Sequence, residues 1–431
     1  MPFASVAGRR RGLNMKTILI LGAGTAGTAI AHKLRRRLST EWDVAVVDPS
    51  STHLYQPGLL FLPFGDETEE RIVRERGSTL GKGITWHKDA VKTIDTERRR
   101  VELAEGEPLS YDFLIIASGT EVRPDMIDGM LGDGWQESVF DFYTLEGSKG
   151  LQKALAKFEG GRLVLNIVEM PIKCPVAPLE FAFLADAYLT KRGIRDKTEL
   201  VYATPLDGAF TKPLASKTLG YLLKEKGIQV ETEFMTGEVD SEKNVIRSYD
   251  EREVPYDLLV TIPPHTGARF LEDSDLADEL GFIQTDHHTL AAKNAERVFC
   301  IGDATDLPSS KAGSVAHFQA DLMTENVLRA IDDKELEPTF DGHSNCFVET
   351  GHGKAMLIDF NYETEPLPGQ FPIPGIGPLP LLKECRRNHW AKRLFRLVYW
   401  YALLPARPIP ISPTMSLAGK QLSAAAEAGG E

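Results

Sequence analysis

Residues 16–27 read KTILILGAGTAG, and this stretch decides the fold. Lys16–Leu21 has the composition of a buried strand and passes directly into a GxGxxG motif, which a helical run over Thr28–Leu38 follows. A second strand, Trp42–Val47, ends on Asp48, which is placed to accept hydrogen bonds from an adenosine ribose. The glycines permit a tight turn that brings a pyrophosphate to the N-terminus of the helix. The stretch predicts a Rossmann-type dinucleotide site that contains Gly22, Gly24, Ala26, Gly27 and Asp48.

The composition is that of an acidic globular chain. Its 431 residues carry a net charge of -13 and are 42% hydrophobic, which is enough for two or three domains. The negative balance argues against nucleic acid as a partner, because phosphate binding requires clustered positive charge. No uninterrupted apolar stretch approaches the roughly 18 residues that span a bilayer. Four cysteines without a CxxC pair predict neither a disulfide framework nor a metal site.

Two distant segments indicate which dinucleotide binds. Residues 111–120 read YDFLIIASGT and residues 298–306 read VFCIGDATD, so each is a buried strand that ends in a turn of small residues. Both resemble segments of the two-domain flavoprotein reductases, together with the HLYQPG segment that follows the second strand. The resemblance implies FAD as the cofactor and the following contacts with it: Gln56, Ala90, Val91, Ser118, Gly119, Gly302 and Asp303.

Proteins of this architecture usually carry a second Rossmann unit for NAD(P)H, and here its glycine turn is missing. The strand Gly161–Val168 is present, but residues 169–178 read EMPIKCPVAP and contain no glycine. Prolines cannot offer the backbone N–H groups that hold a phosphate, and Cys174 stands where the pyrophosphate turn would be. Later strands over Glu199–Ala203 and Leu258–Ile262 indicate a Rossmann-like unit. We therefore expect the fold to be kept and the pyridine nucleotide site to be lost.

Three strings carry a more specific resemblance. They are the EMPIKCPVAP segment, residues 302–319 with the sequence GDATDLPSSKAGSVAHFQ, and residues 344–362 with the sequence SNCFVETGHGKAMLIDFNY. All three resemble the sulfide:quinone oxidoreductases of the FAD-dependent pyridine nucleotide-disulfide oxidoreductase superfamily, and the last is similar to the type III branch. The resemblance runs from about Met15 to Lys420. It implies that sulfide is oxidised to polysulfur and that reduced FAD passes the electrons to a membrane quinone.

The resemblance also implies roles for single residues. Cys174 and Cys346 match the two redox-active cysteines at the flavin, and Glu180 matches a carboxylate that carries protons. Lys311 and Gly313 match a Lys-x-Gly segment near the isoalloxazine, where a positive charge stabilises the anionic reduced flavin. Sulfide attacks the sulfur of a disulfide or persulfide readily, which supports the cysteine pair.

Four further assignments concern the cofactor linkage, the two other cysteines and the quinone pocket. Many members of the family have a cysteine in the loop that corresponds to Arg123–Trp135, in some linked to the cofactor; this loop has none, so we expect non-covalent FAD. Cys300 is predicted to be a packed core thiol, and Cys385 is interpreted as incidental. Phe347, directly after the second cysteine of the pair, is expected to line the quinone pocket.

Residues 378–410 contrast with the acidic remainder of the chain. Seven Lys and Arg residues oppose one Glu there, a local charge of +6. Apolar and aromatic residues recur at helical spacing: Trp390, Leu394, Leu397, Val398 and Tyr401. This pattern predicts an interfacial helix whose cations face anionic lipid headgroups, although a helix packed on its own domain can show the same stripe. We expect a peripheral, monotopic membrane protein on the cytoplasmic side of a bacterial inner membrane.

The predicted architecture is α/β, with two Rossmann-like dinucleotide-binding domains and a C-terminal membrane-associating segment. Its parts are an FAD domain over 15–155 and 276–335, a Rossmann-like domain without an NAD fingerprint over 156–275, a quinone-pocket and membrane-surface segment over 336–416, and a disordered tail over 417–431. Three alternatives stay open: a type II NADH:quinone oxidoreductase, a flavocytochrome-type sulfide dehydrogenase and a non-catalytic flavin-binding protein. Association into a homo-oligomer also stays open.

Overall fold

The computed structural model describes residues 15–272, 274–373 and 377–422. The helices are α1 Thr25–Arg37, α2 Glu69–Ile72, α3 Arg76–Thr79, α4 Leu145–Lys157, α5 Ala177–Lys191, α6 Pro213–Glu225, α7 Gly313–Ile331 and α8 Arg386–Val398, which a π-helical turn over Tyr399–Leu403 continues. Short 3-10 turns cover Gln56–Leu60, Leu62–Phe64, Pro124–Met126, Arg195–Lys197, Arg269–Leu271 and Gly302–Ala304.

The strands, in chain order, are β1 Lys16–Leu21, β2 Trp42–Val47, β3 Thr52–Leu54, β4 Val73–Glu75, β5 Ile84–His87, β6 Val91–Asp95, β7 Arg100–Leu103, β8 Leu109–Ser110, β9 Phe113–Ile116, β10 Glu121–Val122, β11 Val139–Phe140, β12 Gly161–Ile167, β13 Thr198–Ala203, β14 Gln229–Glu231, β15 Thr236–Asp240, β16 Val245–Ser248, β17 Glu253–Pro255, β18 Leu258–Ile262, β19 His265–Thr266, β20 Val298–Cys300, β21 Ser344–Gly351, β22 Lys354–Phe360, β23 Gly369–Phe371 and β24 Leu379–Leu381.

The first Rossmann sheet has five parallel strands in the order β20-β9-β1-β2-β5. Its strands are apolar on both faces, because α1 and α7 cover one face and the β6-β7-β8 meander covers the other. The strands β1, β9 and β20 run in the same direction, so their carboxyl ends bring three turns to one edge of the sheet. A dinucleotide binds at this edge in open α/β sheets.

A second parallel sheet repeats this arrangement in the order β11-β18-β12-β13-β14. The helices α4, α5 and α6 share a hydrophobic core with one face, and the β15-β16-β17 meander packs on the other. The short antiparallel pair β10 and β19 links the two units. The two Rossmann-like units predicted from the sequence are therefore present.

The β21–β22 hairpin lies between α5 and α8 and brings the C-terminal part of the chain against the second unit. Residues 417–422 were predicted to be disordered, yet the structure describes them: Gln421 donates from its backbone N–H to Pro368 at 2.9 Å, and the Lys420 side chain is 2% exposed. Residues 423–431 lie outside the described residues. Across the described ranges, every helix is too short or too polar to cross a membrane.

Candidate active site

The glycine motif forms a tight turn between β1 and α1. Gly22 has a left-handed backbone with φ of +99°, and a Cβ there would lie 2.5 Å from the carbonyl oxygen of Ala117. A Cβ on Gly27 would lie 1.9 Å from the carbonyl oxygen of Gly22, so only glycine lets α1 approach the turn. Asp48 accepts from the Ala23 N–H at 2.7 Å and thereby fixes the turn.

The space around this turn fits FAD. A Cβ built on Gly24, Gly119 or Gly313 meets no atom within 4 Å, so these glycines border open space. Ser118 Oγ and Thr120 Oγ1 are buried there and have no hydrogen-bond partner within the described chain. Buried hydroxyl groups are nearly always paired, so these two are suited to a polar ligand. The glycine turn would hold the pyrophosphate at the N-terminus of α1.

The other predicted FAD residues differ in how they are placed. Gly302 lies against Ala26, since a Cβ on Gly302 would be 3.0 Å from the Ala26 Cβ. Gln56 is exposed. The Ala90 N–H donates to Asp89, its carbonyl accepts from Ala104, and Val91 begins β6. Their contacts with FAD stay predictions.

Lys311 is held by the turn that follows β20. Its Nζ donates to the carbonyl oxygens of Asp303 at 3.0 Å and Thr305 at 2.6 Å, and it lies 3.8 Å from the centre of the Phe282 ring. Burial lowers the pKa of Lys311, although the nearby carboxylate of Asp303 opposes this. The Lys311 carbonyl accepts from the Cys174 N–H at 2.6 Å. A backbone hydrogen bond thus joins the predicted FAD segment to the predicted cysteine site.

Cys174, just before α5, lies near enough to Cys346 to interact with it electrostatically. Cys174 has a left-handed backbone with φ of +49°, and its carbonyl accepts from the Ala177 N–H at 2.9 Å and from the Tyr143 hydroxyl at 3.3 Å. Cys346 lies on β21, is 7% exposed and belongs to the hydrophobic cluster against which Cys174 packs. Both are free thiols in this structure.

Burial controls the chemistry of both thiols. It raises the pKa of Cys174 to about 12 and raises the pKa of Cys346 well above its ordinary range. The negative charge of Glu180 adds to both shifts, whereas Lys392 opposes them. Both groups are therefore protonated at neutral pH, and a thiolate formed here depends on a nearby cation and proton acceptor.

Glu180 is the carboxyl group that interacts electrostatically with both thiols. It is fully buried on α5, and its Oε1 accepts from the Glu349 N–H at 2.7 Å and from Lys392 Nζ. Burial raises the pKa of Glu180 to about 7, although Lys392 opposes the shift. A carboxyl group with this pKa can take up and release protons near neutral pH.

Sequence reasoning missed two groups at this site and assigned a third to the membrane. Glu349 on β21 is fully buried, and both of its carboxylate oxygens contact His389 Nδ1, at 2.9 and 3.0 Å. Lys392 was predicted to face lipid headgroups, and its ion pair with Glu180 corrects this. The signal for an inward face is the spacing of Asn388, Lys392 and Tyr399, which places them on one side of α8.

The opposite side of α8 is apolar and exposed. Its large side chains have exposed fractions between 41% and 64%: Trp390, Leu394, Leu397 and Val398, with Tyr401 of the π-helical turn. Arg396 pairs with Glu67 at 3.0 Å and Arg393 donates to the Asp66 carbonyl at 2.8 Å. These two cations therefore bind the body of the protein, whereas Arg386 and Arg387 at the start of α8 are exposed.

Comparisons with known proteins give this site a context. The family model described as pyridine nucleotide-disulphide oxidoreductase matches residues 16–168. The mitochondrial sulfide:quinone oxidoreductase of Mus musculus is 28% identical over 82% of this chain and 80% of its own length, and that of Dictyostelium discoideum is 26% identical over 93% and 88%. The crystal structure of the Aquifex aeolicus sulfide:quinone oxidoreductase has a TM-score of 0.76 at 18% identity, over 91% of this chain and 92% of that one.

The fold and these matches define the class: the chain is an FAD-dependent oxidoreductase, and its residues 16–168 match the pyridine nucleotide-disulphide oxidoreductase family. Within this class, its resemblance to the sulfide:quinone oxidoreductases, predicted from the sequence, is confirmed.

Proposed function

We propose that the protein oxidises sulfide at Cys174 and Cys346 and passes the electrons through non-covalently bound FAD to a membrane quinone. The observation that carries this proposal is the position of the two cysteines. They come from distant parts of the chain and share one buried cluster, and Cys174 stands where a glycine turn for NAD(P)H would otherwise lie. The names of the curated relatives support the same activity.

The sulfur chemistry is an exchange at the cysteine pair. Hydrosulfide attacks the sulfur bridge of the oxidised pair, which breaks the S–S bond and leaves a persulfide on one cysteine and a thiolate on the other. Closing the bridge around the added sulfur releases two electrons, which the FAD would accept, and one proton. Repetition lengthens the sulfur chain and yields polysulfur. Bound FAD accepts two electrons at once and can pass them to a quinone.

Glu180 receives protons from the cysteines in this proposal. Its electrostatic interaction with both thiols and its pKa of about 7 suit it to this role. Lys392 stabilises a thiolate, because it opposes the rise in the pKa of both cysteines. Removal of either side chain should therefore slow sulfide oxidation without removing the cysteines.

The quinone approaches from the side of α8. Phe347 is half-buried beside Cys346, and its carbonyl accepts from Lys392 Nζ at 3.0 Å. The exposed apolar side of α8 supports attachment to a membrane surface, where the quinone is dissolved. The cytoplasmic side of an inner membrane and a homo-oligomer stay predictions.

Anaerobic flavin bleaching tests the proposal. Sulfide should bleach the visible flavin absorbance of the wild type rapidly, and a short-chain ubiquinone analogue should restore it. Cys174→Ala and Cys346→Ala should each lose the sulfide-driven bleaching. The matched control is Cys385→Ser, because Cys385 is the N-cap of α8 and serine is a good N-cap residue.

Two other outcomes assign a different function. Bleaching by NADH and not by sulfide would make the protein a type II NADH:quinone oxidoreductase. Bleaching by sulfide with reoxidation by a cytochrome and not by the quinone analogue would make it a flavocytochrome-type sulfide dehydrogenase.

A further inference from the structure

The proposed reaction consumes a proton from solvent. Oxidation of HS⁻ to the level of elemental sulfur releases two electrons and one proton, whereas reduction of a quinone to a quinol takes up two electrons and two protons. One proton per turnover must therefore enter from water. The quinone resides in lipid, so the protein has to supply this proton through its own side chains.

Glu180 is enclosed on every side. It faces both thiols, Lys392 from α8 and Glu349 from β21, and these groups act on its charge. Its Oε1 is bound by Lys392 and by the Glu349 N–H, whereas Oε2 is buried without a partner among the described residues. A proton carrier in this position needs a second group that connects it to solvent.

Glu349 and His389 lie between Glu180 and the surface. The Glu349 carboxylate is fully buried and contacts His389 Nδ1 through both oxygens. The His389 side chain is 23% exposed, next to the exposed Trp390. The His389 imidazole thus connects the surface at α8 to the buried Glu349 carboxylate. The backbone N–H of the same residue, Glu349, binds Glu180.

Lys392 fixes the inner end of this series. Its ammonium binds Glu180 Oε1 and the Phe347 carbonyl, and its charge also interacts with Glu349. When His389 is protonated, the charges therefore alternate in sign along the series of His389, Glu349, Lys392 and Glu180. This alternation stabilises buried charge and leaves Oε2 of Glu180 as the free acceptor.

We propose that His389 and Glu349 form a proton inlet that reloads Glu180 during quinone reduction, an inference that rests on the proposed function. A proton binds His389 from solvent, passes to the Glu349 carboxylate, and then to Oε2 of Glu180, which donates it toward the quinone. Each group gains and loses one proton, and no electrons move along this path. His389 and Glu349 act through Glu180 and are not catalytic residues.

The test uses His389→Gln in the full-length FAD-loaded enzyme, with sulfide and a short-chain ubiquinone analogue in lipid vesicles. We expect quinone-dependent turnover to fall by about tenfold or more, and added imidazole to restore most of it. Sulfide-driven bleaching without quinone should stay within about twofold of the wild type, because that step needs no proton from solvent. The loss of turnover should deepen as pH rises, since fewer protons are available.

A matched control is His352→Gln. His352 also pairs with a buried carboxylate, Asp186 at 3.3 Å, but on the turn between β21 and β22. This variant should keep the turnover and the pH profile of the wild type. Glu349→Gln keeps the backbone N–H that binds Glu180 and should behave like His389→Gln, whereas Glu349→Asp should recover part of the turnover.

The outcomes separate the inlet from the proposed function. Wild-type turnover in His389→Gln, or a loss that imidazole does not restore and that leaves the pH profile unchanged, overturns the inlet alone. If sulfide fails to bleach the flavin of the wild type, the proposed function itself is overturned.

Discussion

Lys392 and Glu180 form an ion pair with side-chain exposures of 12% and 1%, so their charges depend on each other. Without Lys392, the pKa of Glu180 should rise further above 7, because burial already raises it and the opposing cation is lost. A carboxyl group with a raised pKa destabilises the folded protein as pH rises through that pKa.

We therefore predict that Lys392→Met lowers stability more at pH 8.5 than at pH 6. In the wild type, ionisation of buried Glu180 lowers the free energy of unfolding, and this loss is complete above about pH 7. In the variant the loss continues to grow as pH rises. At alkaline pH the loss should approach about 3 kcal/mol, the cost of an unpaired buried charge. Thermal unfolding at the two pH values measures the difference.

The double variant Lys392→Met with Glu180→Gln provides the control, because it removes the titrating group. Its own stability should change less between pH 6 and pH 8.5 than that of Lys392→Met. If the double variant shows the same pH dependence as Lys392→Met, another group causes it.

A single residue could be predicted from the sequence when its role depends on a short motif, and not when it depends on a tertiary contact. The glycine turn and Ser118 follow from short motifs, and the cysteine pair follows from a resemblance that covers almost the whole chain. Glu349 and His389 carry no such signal, because their contact joins β21 to α8 and exists only in the tertiary structure. Lys392 was misassigned because a basic residue on an amphipathic helix is usually solvated.

At the scale of elements, sequence patterns located the central strands well. The predicted bounds of β1, β2 and β18 agree with the structure, because each is a short apolar run between clear breaks. Helix α1 begins at Thr25, three residues before the predicted start, since Ala26 and Gly27 of the glycine motif are already helical. Helix α8 was predicted as an amphipathic helix, and its apolar side is exposed as expected.

The exposed side of α8 predicts membrane binding that can be weakened by a single substitution. Leu394 is 55% exposed there, so Leu394→Asn should disturb folding little. Burial of a leucine in an apolar medium contributes roughly 1.5–3 kcal/mol, so vesicle affinity should fall by about tenfold or more. Sedimentation with anionic vesicles measures the affinity.

A control for this variant is Tyr249→Asn, which changes another exposed large side chain, 75% exposed, at the turn between β16 and β17. This variant should bind vesicles like the wild type. Equal binding by Leu394→Asn and the wild type would show that α8 does not enter the lipid boundary. Sulfide-driven flavin bleaching should be unchanged in both variants.

At the scale of the whole molecule, the C-terminal segment closes back onto the hairpin that carries Cys346. Asp359 on β22 pairs with Lys420 at 2.5 Å, with His343 at 2.8 Å and with Asn345 at 3.0 Å. A sequence rich in Ala and Gly gave no sign of this, because one buried lysine holds the segment.

Removal of residues 417–431 should therefore destabilise the protein, whereas removal of 423–431 should not. Removal of residues 417–431 leaves Asp359 buried without Lys420. We expect this loss to lower the free energy of unfolding by about 3 kcal/mol at neutral pH. Burial alone would raise the pKa of Asp359, but His343 and Lys420 lower it below its ordinary value. The stabilisation is thus present above about pH 4 and is lost as pH falls through the lowered pKa. Thermal unfolding of both truncations at pH 7 and in acid measures this, and equal stability at pH 7 would show that the ion pair does not hold the segment.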